Sequence, residues 1–331
     1  MLEIVAKTHQ RSRWTIGQIL KQLGLVKSLY YSWLKRAKGN QLDDQKSDYL
    51  RWNAALPQEK QAIIDFALKN PQEGYKRLAW MMVDEGVAYF SPSAVYNLLA
   101  EKDLLYRFKR SDQSPGTYNF KPQKSHDQWH VDIMYLHVRG NWFFLVVIID
   151  AYSRYVVHWD LLLNMTSREV NLVIQQALEK YPGVKPRIVS DNGIQFTSKD
   201  FKSLIKAFSL KEIKIRVKHP ESNGISERFY GLTRQEGLAA ASPANYYEAK
   251  TVLGSWVDRY NHRRLHSSLN YLRPVDYFAG EPEKLLKIRQ EKLVQARERR
   301  VEVNKWKIYN AGGWKVGNRT LIPEAVCPVY A

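Results

Sequence analysis

Asp191 and Glu227 are the side chains from which chemistry can be read first. Asp191 closes a short apolar run, Ile188-Val189-Ser190, which reads as a buried strand. Glu227 sits in Ser226-Glu227-Arg228-Phe229-Tyr230-Gly231, which reads as a helix, and 35 residues, 192 to 226, lie between the two carboxylates. A carboxylate at a strand end and another on a nearby helix can converge on a hard divalent cation such as Mg²⁺. Such ions prefer oxygen ligands and keep places open for phosphate oxygens. A centre of this kind calls for a third carboxylate upstream.

The elements that must position these groups begin at Asp127. Residues 128–138 alternate in hydrophobicity and turn at Arg139-Gly140-Asn141. Residues 142–149 are almost wholly apolar, as in a strand covered on both faces, and residues 155–163 form a third strand of an antiparallel meander. An amphipathic helix over 167–180 stops before Pro182-Gly183. It is followed by a strand at 187–190, a helix at 199–208, a strand at 213–217, and the helix of Glu227, starting at Ser222 or Asn223. The order βββαβαβα is the ribonuclease H-like arrangement, an α/β fold with a mixed five-stranded sheet. It places the missing ligand near the middle of the first strand, where Asp132 interrupts Trp129-His130-Val131-Asp132-Ile133-Met134-Tyr135. A charge inside an apolar strand is costly unless it is paired or binds metal. Asp150, at the end of the second strand, reads instead as a turn cap. Asp127, Asp160, Asp200, Glu221 and Glu236 read as solvated charges.

Asp132, Asp191 and Glu227, with the phrases Ser-Asp-Asn-Gly-Ile-Gln-Phe-Thr-Ser at 190–198 and Ser-Asn-Gly-Ile-Ser-Glu-Arg-Phe at 222–229, resemble the DDE catalytic core of retroviral-type integrases and bacterial insertion-sequence transposases. Arg234 fills the basic position seven residues after the Glu in that pattern. The stretch 256–277, with Tyr260-Asn261-His262-Arg263-Arg264 and Pro274, is similar to the segment that closes this core. The resemblance runs over roughly residues 15–280 and is most specific over 128–236. It implies Mg²⁺ or Mn²⁺, two ions per site, with Asp132 bridging them and Asp191 and Glu227 binding one each. It also implies 3′-end nicking and strand transfer on double-stranded DNA, the element ends and the target, by a dimer or tetramer. Asn192, Gln195, Arg234 and His219 are the expected DNA contacts near the site.

The flanks suit that reading. Net charge is +18 over 331 residues, which points to nucleic acid as the partner. The single Cys327 excludes a disulfide framework and a Cys-rich zinc site. No opening segment reads as a signal peptide, and no run approaches the roughly 18 apolar residues of a membrane span. A soluble cytoplasmic, nucleoid-associated bacterial protein is expected. Residues 1–46 read as a helix-turn-helix unit whose second helix presents Lys27, Ser28 and Tyr31 to DNA, and 47–106 as a second such unit presenting Ser93, Tyr96 and Asn97. Residues 107–124 read as a basic linker, 125–280 as the catalytic core, and 281–331 as a basic helix, solvated or DNA-binding, with short strands from Trp306 onward. A DNA-binding protein that keeps the fold without the chemistry, and a ribonuclease H-like nuclease, are the alternatives.

Overall fold

In the computed structural model, residues 1–39, 51–105, 122–214, 224–239, 241–310, 314–316 and 319–321 are described. They divide into two compact units, Met1–Ala54 with Glu302–Ala331, and Ala55–Val301.

The first unit holds three helices: α1 (Leu2–Arg11), α2 (Ile16–Gln22) and α3 (Lys27–Lys38). Val5, Ile19, Leu20 and Tyr30 form its small core. Thr15 starts α2 through a reciprocal capping box with Gln18. Gly24, at φ +65°, makes the turn into α3 without a Cβ penalty. Helix α1 is not evident from the sequence, because its apolar residues are few and spaced among charges. Within the same unit Asn304 donates from Nδ2 to the carbonyls of Trp52 and Ala54, each at 2.9 Å.

The second unit opens with α4 (Pro57–Lys69), α5 (Tyr75–Asp84) and α6 (Pro92–Glu101). Ile63, Leu78, Met82, Val95 and Leu99 pack between them. Ser91 caps α6 by accepting from the Ala94 N–H, with Pro92 at the first helical position.

Then follow β1 (Gln128–Val138), β2 (Asn141–Asp150), β3 (Val156–Leu162), α7 (Ser167–Lys180), β4 (Arg187–Ser190), α8 (Ile194–Thr197), α9 (Lys199–Ala207), β5 (Lys211–Lys214) and α10 (Gly224–Leu232). A π-helical stretch, Thr233–Leu238, continues α10 and leads to α11 (Tyr246–His262), α12 (Pro274–Phe278) and α13 (Pro282–Asn310). The strand order is β3-β2-β1-β4-β5, with β1 antiparallel to β2, β2 antiparallel to β3, and β4 parallel to both β1 and β5. This is the ribonuclease H-like sheet expected from the element order.

Strand β5 begins two residues before the expected start, and 215–217 lie outside the described residues. The short helix α8 adds to the expected elements. Residues 306–309, expected in a strand, belong instead to α13, and the short strands of the tail are Trp314–Val316 and Arg319–Leu321.

Alternation along β1 sorts the two cores. Trp129 and Val131 join Val146, Ile148 and Ile188 beneath α7 and α9. Met134, Leu136 and Val138 join Leu145, Val147 and Ile149 beneath α10 and α11. Trp129, Phe196, Phe201 and Phe229 are almost fully enclosed; burial of an aromatic side chain of this kind stabilises by about 2 kcal/mol.

Helix α13 departs from its sequence reading at two arginines. Arg289 is buried, donating to both carboxylate oxygens of Asp84 and to the carbonyls of Asn270 and Tyr271. Arg300 is buried on the Phe90 ring, donating to Glu59 and the Tyr89 carbonyl. Both are structural ties between α13 and the α4–α6 bundle rather than solvated or DNA-facing charges. Lys287, Arg297 and Arg299 on the same helix are not enclosed in this way.

Candidate active site

Asp132 lies in β1 opposite Val147 of β2, on the face covered by α10. It is partly buried, and its Oδ1 accepts from the Ile133 N–H at 2.9 Å. The parallel register of β1 and β4 pairs His130 with Val189. Two residues further on, Asp132 comes level with Asp191, the first residue beyond β4. Neighbouring strands are about 4.8 Å apart, so the register puts the two residues on adjacent chain segments at the same level of the sheet.

Asp191 is exposed and accepts the Gly193 N–H on Oδ1 at 2.9 Å, a turn that fixes its direction. A Cβ on Gly193 would lie 2.9 Å from that oxygen and from Gln195 Oε1, so only glycine leaves this turn undisturbed.

Glu227 stands exposed in the first turn of α10, where a negative charge suits the helix dipole. The helix is held down by Phe229, Tyr230 and Leu232, which join the core under β1 and β2. Tyr230, three residues after Glu227, is buried, and among the described residues its hydroxyl has no hydrogen-bond partner. Burial pushes that phenol well above its ordinary value; the Asp132 and Asp191 charges add to the push and Arg234 opposes it. All three charges therefore act on one hydroxyl. Sequence reading passes over Tyr230, whose only signal is its place on the helix of Glu227.

Among the described residues, no group of three His, Cys, Asp or Glu side chains is drawn together as a metal cluster. The donor set at Asp132, Asp191 and Glu227 is nonetheless all oxygen and anionic, the chemistry a hard divalent cation takes. An unpartnered buried O–H beside two of these carboxylates is consistent with a site built for something more than packing. The residues present fit such an ion.

Asp150 has a different occupation. It is fully buried and accepts from the His126 N–H at 2.8 Å, the Ser153 N–H at 2.8 Å and the Ser153 hydroxyl at 2.6 Å. It caps the β2–β3 turn, as the sequence suggests. Two other acids depart from their reading as solvated charges. Asp160 pairs with Lys250 at 2.8 Å. Glu236 receives both Nε and Nη2 of buried Arg264, at 2.8 and 2.6 Å. Burial would raise the Glu236 carboxyl, but Arg264, with Arg77 and Arg259 nearby, holds it below the usual carboxylate range.

Arg234 is exposed, and it sits in the π-helical stretch rather than in the regular helix of Glu227. The stretch is anchored by Trp256, whose Nε1 donates to the Thr233 hydroxyl at 2.9 Å while that hydroxyl donates to the Phe229 carbonyl. The indole lies close against Gly237, where a Cβ would come within 2.9 Å of Trp256 Cγ.

Of the other expected contacts, Asn192 is exposed. Gln195 is buried and donates to the Met165 carbonyl at 3.4 Å, so it turns inward. His219 lies outside the described residues. Lys27, Ser28 and Tyr31 are exposed on α3, and Ser93, Tyr96 and Asn97 on α6. Gly224 and Gly231 have no neighbour within 4 Å of where a Cβ would stand, so no contact among the described residues requires either.

An integrase core domain family matches residues 122–220, and a second integrase core domain family matches residues 210–274. The chain is 24% identical over 217 residues to InsK of insertion sequence element IS150 of Escherichia coli, covering 62% of this chain and 76% of that protein. It is 28% identical over 189 residues to the transposase for insertion sequence element IS904 of Lactococcus lactis, covering 54% and 75%. Among solved structures, the simian T-cell lymphotropic virus intasome in complex with PP2A regulatory subunit B56 gamma aligns at TM-score 0.45 and 15% identity, over 66% of this chain and 75% of that one. The HTLV-2 integrase catalytic core domain in complex with magnesium aligns at TM-score 0.39 and 18% identity, over 47% and 99%. No helix among the described residues is long and apolar enough to cross a membrane.

Proposed function

We propose that this chain, a relative of the insertion-sequence transposases that carries their integrase-type core, nicks DNA at the 3′ ends of a mobile element and joins those ends to a target. The observation that carries the reading is the β1–β4 register, which brings Asp132 level with Asp191 beneath the helix of Glu227. Asp132, Asp191 and Glu227 would hold Mg²⁺ or Mn²⁺, two ions in the full site. Bound there, the metal supplies Lewis-acid stabilisation of charge on the attacking and leaving oxygens.

In nicking, a water oxygen attacks phosphorus, the bond from phosphorus to the 3′ oxygen breaks, and the products are a 3′-hydroxyl and a 5′-phosphate. In joining, that 3′-hydroxyl attacks a target phosphodiester and displaces its 3′ oxygen. Both nucleophiles are oxygens, so one set of carboxylates serves both steps without a covalent enzyme intermediate. Exposed Arg234 and Asn192 flank the carboxylates and suit a phosphate backbone. The exposed faces of α3 and α6 are candidates for end recognition, and a net charge of +18 supplies the general attraction. Two ends joined to one target call for at least two copies of the chain on the DNA.

The test is an end-mimicking duplex incubated with the full chain and Mg²⁺ or Mn²⁺. The wild type should nick it and join it to plasmid, whereas Asp132→Asn should bind the duplex and do neither. Cleavage by Asp132→Asn at the wild-type rate would remove Asp132 from the site.

A further inference from the structure

Tyr230 is the polar group the proposed chemistry leaves unused. Its hydroxyl is enclosed, has no hydrogen-bond partner among the described residues, and lies within the field of Asp132, Asp191 and Arg234. A buried phenol normally finds an acceptor, and a buried polar group left unpaired is costly. One neighbour repeats the pattern. Ser226, one helical turn before Tyr230 on the same face, is buried with a hydroxyl that likewise lacks a partner among the described residues. A buried hydroxyl left unpaired calls for an explanation beyond packing.

We infer that Tyr230 is a positioning residue of the metal centre, its O–H held behind Asp132 and Asp191 to donate to a carboxylate oxygen once the two acids close on a divalent cation. The inference rests on the metal-dependent reading above. The geometry favours this role over contact with DNA, because the hydroxyl is enclosed by protein while Glu227 and Arg234 on the same helix and its continuation are exposed. A neutral phenol is well matched to this role, because it supplies a donor to an anionic ligand without adding charge. Partners that orient a metal ligand in this way typically contribute tenfold or more in metal affinity. Tyr230 also differs from a core aromatic in one testable respect, since replacing it with Phe keeps the packing on β1 and β2 and deletes only the oxygen.

The experiment titrates Mn²⁺ into the full chain and follows free Mn²⁺ by electron paramagnetic resonance, for wild type, Tyr230→Phe, Asp132→Asn and the double variant. Metal-free thermal denaturation accompanies each. Tyr230→Phe should bind Mn²⁺ about tenfold more weakly, with a metal-free melting temperature equal to or above wild type. The double variant should bind no more weakly than Asp132→Asn alone. Wild-type affinity in Tyr230→Phe, or a lowered metal-free melting temperature with unchanged affinity, would overturn the positioning role and leave the proposed function standing. Failure of the wild type itself to bind Mn²⁺ would overturn both.

Discussion

Arg289 on α13 grips Asp84 at the end of α5 through Nε and Nη2, at 2.7 and 2.5 Å, across 205 residues of sequence. The guanidinium is almost fully enclosed and also satisfies two carbonyls of the 270–271 turn, while Asp84 is 40% exposed. Removing the arginine leaves those acceptors without a donor. Arg289→Ala should cost about 3 kcal/mol in urea denaturation. Asp84→Ala should cost less, because its solvent exposure weakens the pair. A double-mutant cycle that gives no coupling would show that the contact contributes nothing.

Gly231 in the Glu227 helix and Gly237 in its continuation should respond with opposite sign. Gly231 has open space around its Cβ direction, so Gly231→Ala should stabilise by about 1 kcal/mol through helix propensity alone. Gly237 faces the Trp256 ring at 2.9 Å, so Gly237→Ala should instead destabilise, by about 1–3 kcal/mol, despite the same propensity gain. Thermal melts of the two variants decide this. If Gly231→Ala is stable yet binds end DNA more weakly, the glycine serves an approaching strand.

His266 gives a pH signature. It is buried, and burial first, then the charges of Arg264, Arg77, Arg154 and Arg228, hold its pKa at about 3, against 6.5 for the free side chain. The Tyr260 ring stands edge-on to it at 4.7 Å. The folded value lies below the unfolded one, so as pH falls the unfolded chain takes up the proton first. The stability His266 contributes is complete above about pH 6.5 and is lost progressively toward pH 3, at up to about 1.4 kcal/mol per pH unit. His266→Phe, which keeps the ring contact, should flatten that slope in denaturation curves taken from about pH 7 to about pH 4. An unchanged slope would assign the acid sensitivity elsewhere.

Asp150 offers a control for the carboxylates. Asp150→Ala strips acceptors from two backbone N–H groups and one hydroxyl in a buried turn. Stability should fall by about 2–4 kcal/mol, while Mn²⁺ affinity of the folded protein stays at the wild-type level. A loss of Mn²⁺ binding at full stability would move Asp150 into the site.

The strands are legible because period-2 alternation and the apolar run of β2 are local signals, and α7 is found at the residues its amphipathic pattern marks. Asp132 is legible for the opposite reason: it breaks the pattern of its strand. What escapes are relationships carried by distant partners. Nothing near Arg289 or Arg300 announces Asp84 or Glu59, which lie 205 and 241 residues away. Glu236 reads as a surface charge until Arg264 is brought beside it. Trp306 looks strand-like by composition, yet the basic helix simply continues through it. Tyr230 looks like one more core aromatic beside Phe229, and only its buried hydroxyl, unpaired among the described residues, separates the two.

The π-helical stretch after α10 carries a constraint on how this chain can change length. A regular helix turns by about 100° per residue, and a π segment accommodates one residue more than a regular turn would. Deleting a single residue between Thr233 and Leu238 would leave Glu227 and Tyr230 in place and rotate everything after them. Glu236 would swing away from Arg264, and the residue arriving beneath the Trp256 indole would carry a side chain. The stretch thus works as a phase adjuster between the face that holds the carboxylate and the face that docks on α11. These six residues are therefore closed to a one-residue insertion or deletion.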